Sequence, residues 1–191
     1  MQSENNKRIA KNTLFLYIRM LITMVVSLYT SRVVLNTLGI NDFGIYNVVG
    51  GVVAMFGFIT NTMALASQRF LAYEIGRNDT EKLKMTFNVS LIIYMAFALA
   101  VLILGETIGL WFIQNKLTIP EGRMMETLFV YQFSLFAFIV TILRIPYNSI
   151  IIAHEKMSFY AWSSIIEVSL KLLIVFMLLW IDFDKLILYG I

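Results

Sequence analysis

Arg19, Thr23 and Ser27 follow one another at four-residue intervals in an otherwise almost wholly apolar stretch, "TLFLYIRMLITMVVSLYTSRVVL", residues 13–35. Residues four apart share one face of a helix, and Asn12 and Ser31 extend the same stripe. A guanidinium flanked by hydroxyls is chemistry for holding an anion, because its planar fork of N–H groups matches the oxygens of a phosphate. Asn61 and Gln68 lie on a second such face, with Asn47, Gly50, Ala54, Gly57 and Ala64. The small residues there suit close helix packing, and the two amides suit the wall of a polar cavity. Arg144 stands in a third apolar stretch, with Gln132, Thr141 and Pro146, where the proline is expected to kink a helix. Glu167 and Lys171, in a fourth, have the favourable i,i+4 order of a buried charge pair. Tyr160 and Ser164 share their face.

Each of these features has a plainer reading. Arg19, Arg32 and Arg144 can snorkel to a membrane surface. The hydroxyls can serve only to bond neighbouring helices, and Glu167 with Lys171 can serve only to neutralise one another. Against the plainer reading stands a charge balance: Arg19, Arg32, Arg144 and Lys171 outnumber Glu167 and Glu106 at comparable depth. A cationic, polar-lined interior suits an anionic ligand.

Other chemistry is missing. There is no cysteine, so no disulfide, thiol nucleophile or thiolate metal site is possible. The one histidine, His154, sits in a polar link and reads as ordinary surface. No zincin, P-loop or nucleophile-elbow motif occurs. "DFG" at 42–44 reads as a turn with Gly44 as its flexible point, since the other kinase motifs are absent. The chain is therefore expected to be no enzyme and to need no cofactor or metal, and nothing in it supports nucleic-acid binding.

The elements that must carry these residues follow from composition. The chain is 59% hydrophobic and 14% charged, more apolar surface than 191 residues could hide from water. Five apolar segments, about 13–35, 45–71, 87–112, 128–153 and 159–181, are each long enough to cross a bilayer core of ~30 Å at ~1.5 Å per residue. Only helices can do so, because lipid offers the backbone no other partner. A sixth begins at 185–191, "KLILYGI". The expected fold is an all-α polytopic membrane bundle of five full transmembrane helices plus the start of a sixth. It reads as a partial chain. The links are "LGINDFG", "GRNDTEKLK" with Asn78 and Glu81 as helix-capping residues, "NKLTIPEGR" with a helix opening at Pro120 and Glu121, and "AHEKMS" with Ser158 as a cap. Lys7, Arg8, Lys11, Arg69, Arg77, Lys82, Lys84 and Lys156 fall on one side of this arrangement and only a few cations on the other, which predicts a cytoplasmic N-terminus.

"TSRVVLNTLGINDFGIYNVVGGVVAMFGF", "SQRFLAYEIGRND" and "RIPYNSIIIAHEKMSFYAW" together resemble bacterial polysaccharide transporters. These are the Wzx-like O-antigen flippases of the multidrug/oligosaccharidyl-lipid/polysaccharide exporter superfamily. The resemblance implies two pseudo-symmetric helix bundles, of which residues 1–191 would be the N-terminal one, cut inside its sixth helix. It implies a flippase of the bacterial inner membrane that moves undecaprenyl-pyrophosphate-linked oligosaccharide to the outer leaflet for lipopolysaccharide or other surface polysaccharide. Membrane lipids and the polysaccharide polymerase machinery would be its partners. Related lipid II flippases use arginines of the first helix in a cationic cavity, and Arg19 lies in the matching helix. Gln68, in "SQ", looks like a feature of the family. A drug or cation antiporter of the same superfamily and a non-transporting membrane subunit are the competing readings.

Overall fold

A computed structural model of the chain describes residues 2–120 and 122–178, with side chains described at 10, 12–120 and 122–176. The start of a sixth helix expected at 185–191 lies outside the described residues, as does Glu121. The described chain is helical throughout, with no strand. It comprises α1 (Gln2–Ala54), α2 (Gly57–Gly76), α3 (Thr80–Leu104), a single wide π turn (Gly105–Gly109), α4 (Leu110–Lys116), α5 (Met124–Ala153) and α6 (Met157–Leu178).

Four helical stretches are long and apolar enough to cross a membrane: Asn12–Ala54, Thr80–Lys116, Met124–Ala153 and Met157–Phe176. α2 is not among them, since Thr60, Asn61, Thr62, Ser67, Gln68 and Arg69 dilute its apolar content. The expected second segment, 45–71, is thus divided. Its first part belongs to α1, the helix is interrupted at Met55 and Phe56, and the rest is α2.

α1 is itself two arms. Its 43-residue apolar stretch would be ~65 Å long if straight, twice a hydrocarbon core. It breaks at Gly39 (φ 80°, ψ 172°). That backbone geometry suits glycine alone, and nothing lies within 4 Å of where a Cβ would be, so conformation and not space requires the residue. Gly44, expected to be the flexible point, lies inside the helix; Gly39 makes the turn.

Contacts give the directions. The first arm runs alongside α6 in the same sense: Asn12 reaches the Glu155 carbonyl ahead of α6, Arg19 reaches Ser164, and Tyr29 stands 6.1 Å from Phe176. The second arm and α2 run in the same sense as α5: Asp42 pairs with Arg123 at 3.0 Å, and Phe56 lies 6.5 Å from Phe138. α5 and α6 form an antiparallel hairpin through the link at 154–156. The chain therefore reverses direction at Gly39.

The main core fills the half of the bundle nearer that turn, where Ile45, Val49 and Val53 pack with Tyr94, Val101, Ile113, Val130, Tyr131 and Leu135. Phe58, Ile40 and Met55 are each about four-fifths exposed, which in water would be costly and in lipid is not. The wide turn between α3 and α4 is tied to α5 by the Tyr131 hydroxyl, which donates to the Gly105 carbonyl at 2.7 Å. Beside it the Gln132 amide donates to Glu106 at 3.1 Å.

Helix ends differ from expectation in detail. Asp79, not Asn78, caps α3, accepting the Lys82 N–H at 3.0 Å, while Asn78 takes a left-handed turn (φ 54°). That backbone hydrogen bond and the adjacent Lys82 ammonium hold the Asp79 carboxyl below its ordinary value. Its contribution is thus present above the ordinary carboxylate range and is lost as pH falls through the lowered value. α5 opens at Met124, after Pro120, and Ser158 lies inside α6 and not ahead of it. Pro146 does not break α5, which stays helical from Met124 to Ala153.

Candidate functional site

α2, α5 and the beginning of α6 leave between them an open groove of about 420 Å³. α2 contributes Thr60, Asn61 and Gln68, α5 contributes Thr141, Arg144, Asn148 and Ser149, and α6 contributes Tyr160. The periodicities explain this gathering. Asn61, Ala64 and Gln68 repeat at three and four along α2, and Thr141, Arg144 and Asn148 do so along α5, so each helix turns one polar face inward. On the core side, Phe138 of α5 packs on α2, 3.9 Å from where a Cβ on Gly57 would sit.

The structure brings Asn61, Gln68 and Arg144 together in this groove, although they are up to 83 positions apart in sequence. Arg19 joins from behind. Its guanidinium carbon lies 4.8 Å from the centroid of the Tyr160 ring, a groove wall, and its Nη1 donates to Ser164 Oγ at a long 3.5 Å. Arg19 Nε is buried and makes no hydrogen bond, and no carboxylate pairs with Arg19 among the described residues. This guanidinium is held by a ring face and a hydroxyl, so its charge is not neutralised.

Thr23 and Ser27 do not share the groove. The Thr23 hydroxyl donates back to its own helix, to the Arg19 and Met20 carbonyls at 2.9 and 3.0 Å. Ser27 is exposed. The stripe is continuous on the helix, but the first arm presents only its Arg19 level to the groove. Gly50, expected to admit a close helix, has nothing within 4 Å of a Cβ position. The polar face from Asn47 to Gln68 is split by the interruption at Met55 and Phe56, and only its α2 half lines the groove.

Glu167 and Lys171 pair at 2.9 Å, and Glu167 has a second partner that the i,i+4 pattern does not reveal. Arg144 Nη1 donates to Glu167 Oε2 at 2.6 Å, so one carboxylate carries two cations. Hairpin symmetry could have found it. Arg144 and Glu167 stand equally far from Glu155 and Lys156 in the α5–α6 link, and antiparallel helices bring such positions level. The Arg144–Glu167–Lys171 cluster thus carries a net charge of +1, and Arg19, against Tyr160 and Ser164, adds a cation outside it. Among the described residues, no three His, Asp or Glu side chains gather where they could hold a metal ion.

The shared carboxylate changes what substitution should do. Glu167→Gln leaves Arg144 and Lys171 side by side with no acid. We expect a loss of about 1–2 kcal/mol, the penalty for an uncompensated charge reduced because the Glu167 side chain is 35% exposed. Lys171→Met leaves Glu167 on Arg144 and should cost less than ~1 kcal/mol. Thermal midpoints in detergent check this ordering, and equal losses for the two variants would refute the three-way cluster.

Comparisons with family models, with characterised proteins and with solved structures find no match to this chain.

Proposed function

We propose that the chain is the first helix bundle of a Wzx-like flippase, which moves undecaprenyl-pyrophosphate-linked oligosaccharide across the bacterial inner membrane. The observation that carries this reading is the groove: polar on α2 and α5, with Arg144 on its wall and Arg19 against the Tyr160 ring, and open along the side of an otherwise lipid-compatible bundle. A pyrophosphate head needs cations and hydrogen-bond donors, and its polyprenyl tail needs lipid beside them. An open groove offers both at once, where an enclosed pocket would exclude the tail. Rocking of this bundle against a second one would alternate the groove's access between leaflets. On this reading the reversal at Gly39 makes 13–35 and 45–71 two separate crossings, so that five helices span the membrane with the N-terminus in the cytoplasm.

The competing antiporter reading wants an acid free to bind a proton or a cation. Glu167 is instead held by two cations, which favours the flippase. The test is restoration of surface polysaccharide in a strain lacking its flippase by the gene that encodes this chain. Restoration supports the proposal. Drug resistance without restoration would replace it with the antiporter, and neither effect would favour a non-transporting subunit. Because the chain has no cysteine, single introduced cysteines report topology cleanly. Position 118 should react from outside, and reaction only from the cytoplasmic side would reject the five-crossing arrangement.

A further inference from the structure

Arg144 is the groove's best-placed guanidinium, and it is already occupied. Its Nη1 lies 2.6 Å from Glu167 Oε2, and the structure gives it no other hydrogen bond. A guanidinium has five N–H donors, and the Arg144 side chain is half exposed on the groove's wall. The carboxylate it binds does not depend on it, because Glu167 Oε1 also accepts from Lys171 Nζ at 2.9 Å. Stripping a half-buried carboxylate of its last cation is unfavourable. Here one cation can leave and the other remains.

Resting on the reading of the groove as a site for a phosphate-bearing ligand, we infer that Glu167 is a resident anion. It occupies Arg144 until a more highly charged ligand displaces it, and Lys171 holds the displaced carboxylate. No bond is made or broken in this step. Arg144 exchanges a carboxylate for a pyrophosphate, and it is paired before and after. The exchange gives selectivity of the kind built by competition. A monoanion offers Arg144 nothing that Glu167 does not already supply, whereas a pyrophosphate brings more charge and a second set of acceptor oxygens. It also couples binding to shape, because the Arg144–Glu167 contact joins α5 to α6 and is released when the ligand arrives.

The experiment is a double-mutant cycle read by binding, with the whole chain in zwitterionic nanodiscs. The probes are inorganic pyrophosphate and farnesyl pyrophosphate, with farnesyl monophosphate as the weaker anion. Glu167→Gln should tighten pyrophosphate binding about tenfold and narrow the preference over the monophosphate. Lys171→Met should weaken it several-fold, since Glu167 then rests on Arg144 alone. Glu167→Gln/Lys171→Met should bind within about twofold of Glu167→Gln, because Lys171 acts only through the carboxylate. This double variant also restores the charge balance and so guards against misfolding of the single one. If wild type binds but Lys171→Met weakens both backgrounds equally, Lys171 contacts the ligand directly and the exchange is wrong. If wild type binds and Glu167→Gln is no tighter, the resident-anion role is wrong while the groove stands as a site. If neither wild type nor Glu167→Gln binds either pyrophosphate, both this inference and the flippase reading fail. Binding of inorganic pyrophosphate as tightly as the farnesyl form would identify the free anion, not a lipid headgroup, as what the exchange recognises.

Discussion

Gly109→Ala should destabilise the bundle by about 2–4 kcal/mol, the largest loss expected of an added methyl group at any of the described glycines. A Cβ on Gly109 would fall onto the Tyr131 hydroxyl, with ring atom Cζ only 3.0 Å away. Tyr131 cannot step aside cheaply, since it is wholly buried and its hydroxyl donates to the Gly105 carbonyl across the wide turn. Overpacking of this kind costs about 1–3 kcal/mol, and displacing the hydroxyl forfeits a hydrogen bond of ~1 kcal/mol. Tyr131→Phe alone should cost only about that second amount, because the Gly105 carbonyl keeps the Leu110 N–H from within the wide turn. The Gly109→Ala/Tyr131→Phe variant should lose less than the sum of the two, as the nearest clashing atom is gone. Gly51→Ala is the control. It lies in a helix with nothing within 4 Å of its Cβ position, and alanine there should be neutral or stabilising. Thermal unfolding in detergent separates these outcomes, and equal midpoints for Gly109→Ala and Gly51→Ala would refute the account.

Nothing in "GETIG" announced that role. The segment reads as the end of an apolar run, and its two glycines matter only because α5 brings Tyr131 and Leu135 against them. What the sequence does make legible is whatever lipid dictates locally. Apolar length fixes helix and approximate extent, so α5 and α6 fall close to where hydropathy puts them, while the run expected at 87–112 is shared by α3, the wide turn and α4. Hydropathy is blind to backbone geometry, however. It cannot tell that the chain turns at Gly39 and not at Gly44. It reads 45–71 as one continuous helix, because the apolar residues before Met55 and the mixed face after it give no sign of the interruption at Met55 and Phe56.

The candidate site divides in the same way. Asn61 and Gln68 were recognisable because they share a face of one helix, and helical periodicity is a local property. Their meeting with Arg144 depends on α2 lying along α5, a tertiary fact with no periodic signature. The Glu167–Lys171 contact was legible from an i,i+4 spacing, and Arg144 as its third member was not. Thr23 and Ser27 show the limit of periodicity from the other side. They repeat correctly with Arg19, yet a hydroxyl on a helix can always bond its own preceding turn, and Thr23 does.

On the flippase proposal, Arg19→Gln should abolish transport, and Arg19→Lys should leave a tenth of it or less. The guanidinium lies over the Tyr160 ring, within reach of Ser164, with its Nε unpartnered and no acid beside it. It is a cation left unneutralised against Tyr160, a wall of the groove, unlike Arg144, which Glu167 already occupies. Glutamine removes the charge. Lysine keeps it but loses the ring contact, of ~0.5–2 kcal/mol, and the planar two-pronged grip on a phosphate. At ~1.4 kcal/mol per factor of ten, the ring contact alone corresponds to roughly twofold to thirtyfold, and a lost hydrogen bond to the anion of ~1 kcal/mol brings the total to roughly tenfold to a hundredfold. If Arg19 merely snorkels, lysine, whose flexible stem reaches a headgroup equally well, should instead serve fully. Tyr160→Leu distinguishes the ring contact from the charge. It should reduce transport less than Arg19→Gln does, and in the Arg19→Lys background it should add little, because the stack is already lost. The measurement is surface polysaccharide in a flippase-null strain at matched membrane levels of each variant. Normal display by Arg19→Gln would remove Arg19 from the mechanism, and Arg144, the next cation along the groove, would then have to carry the anion alone.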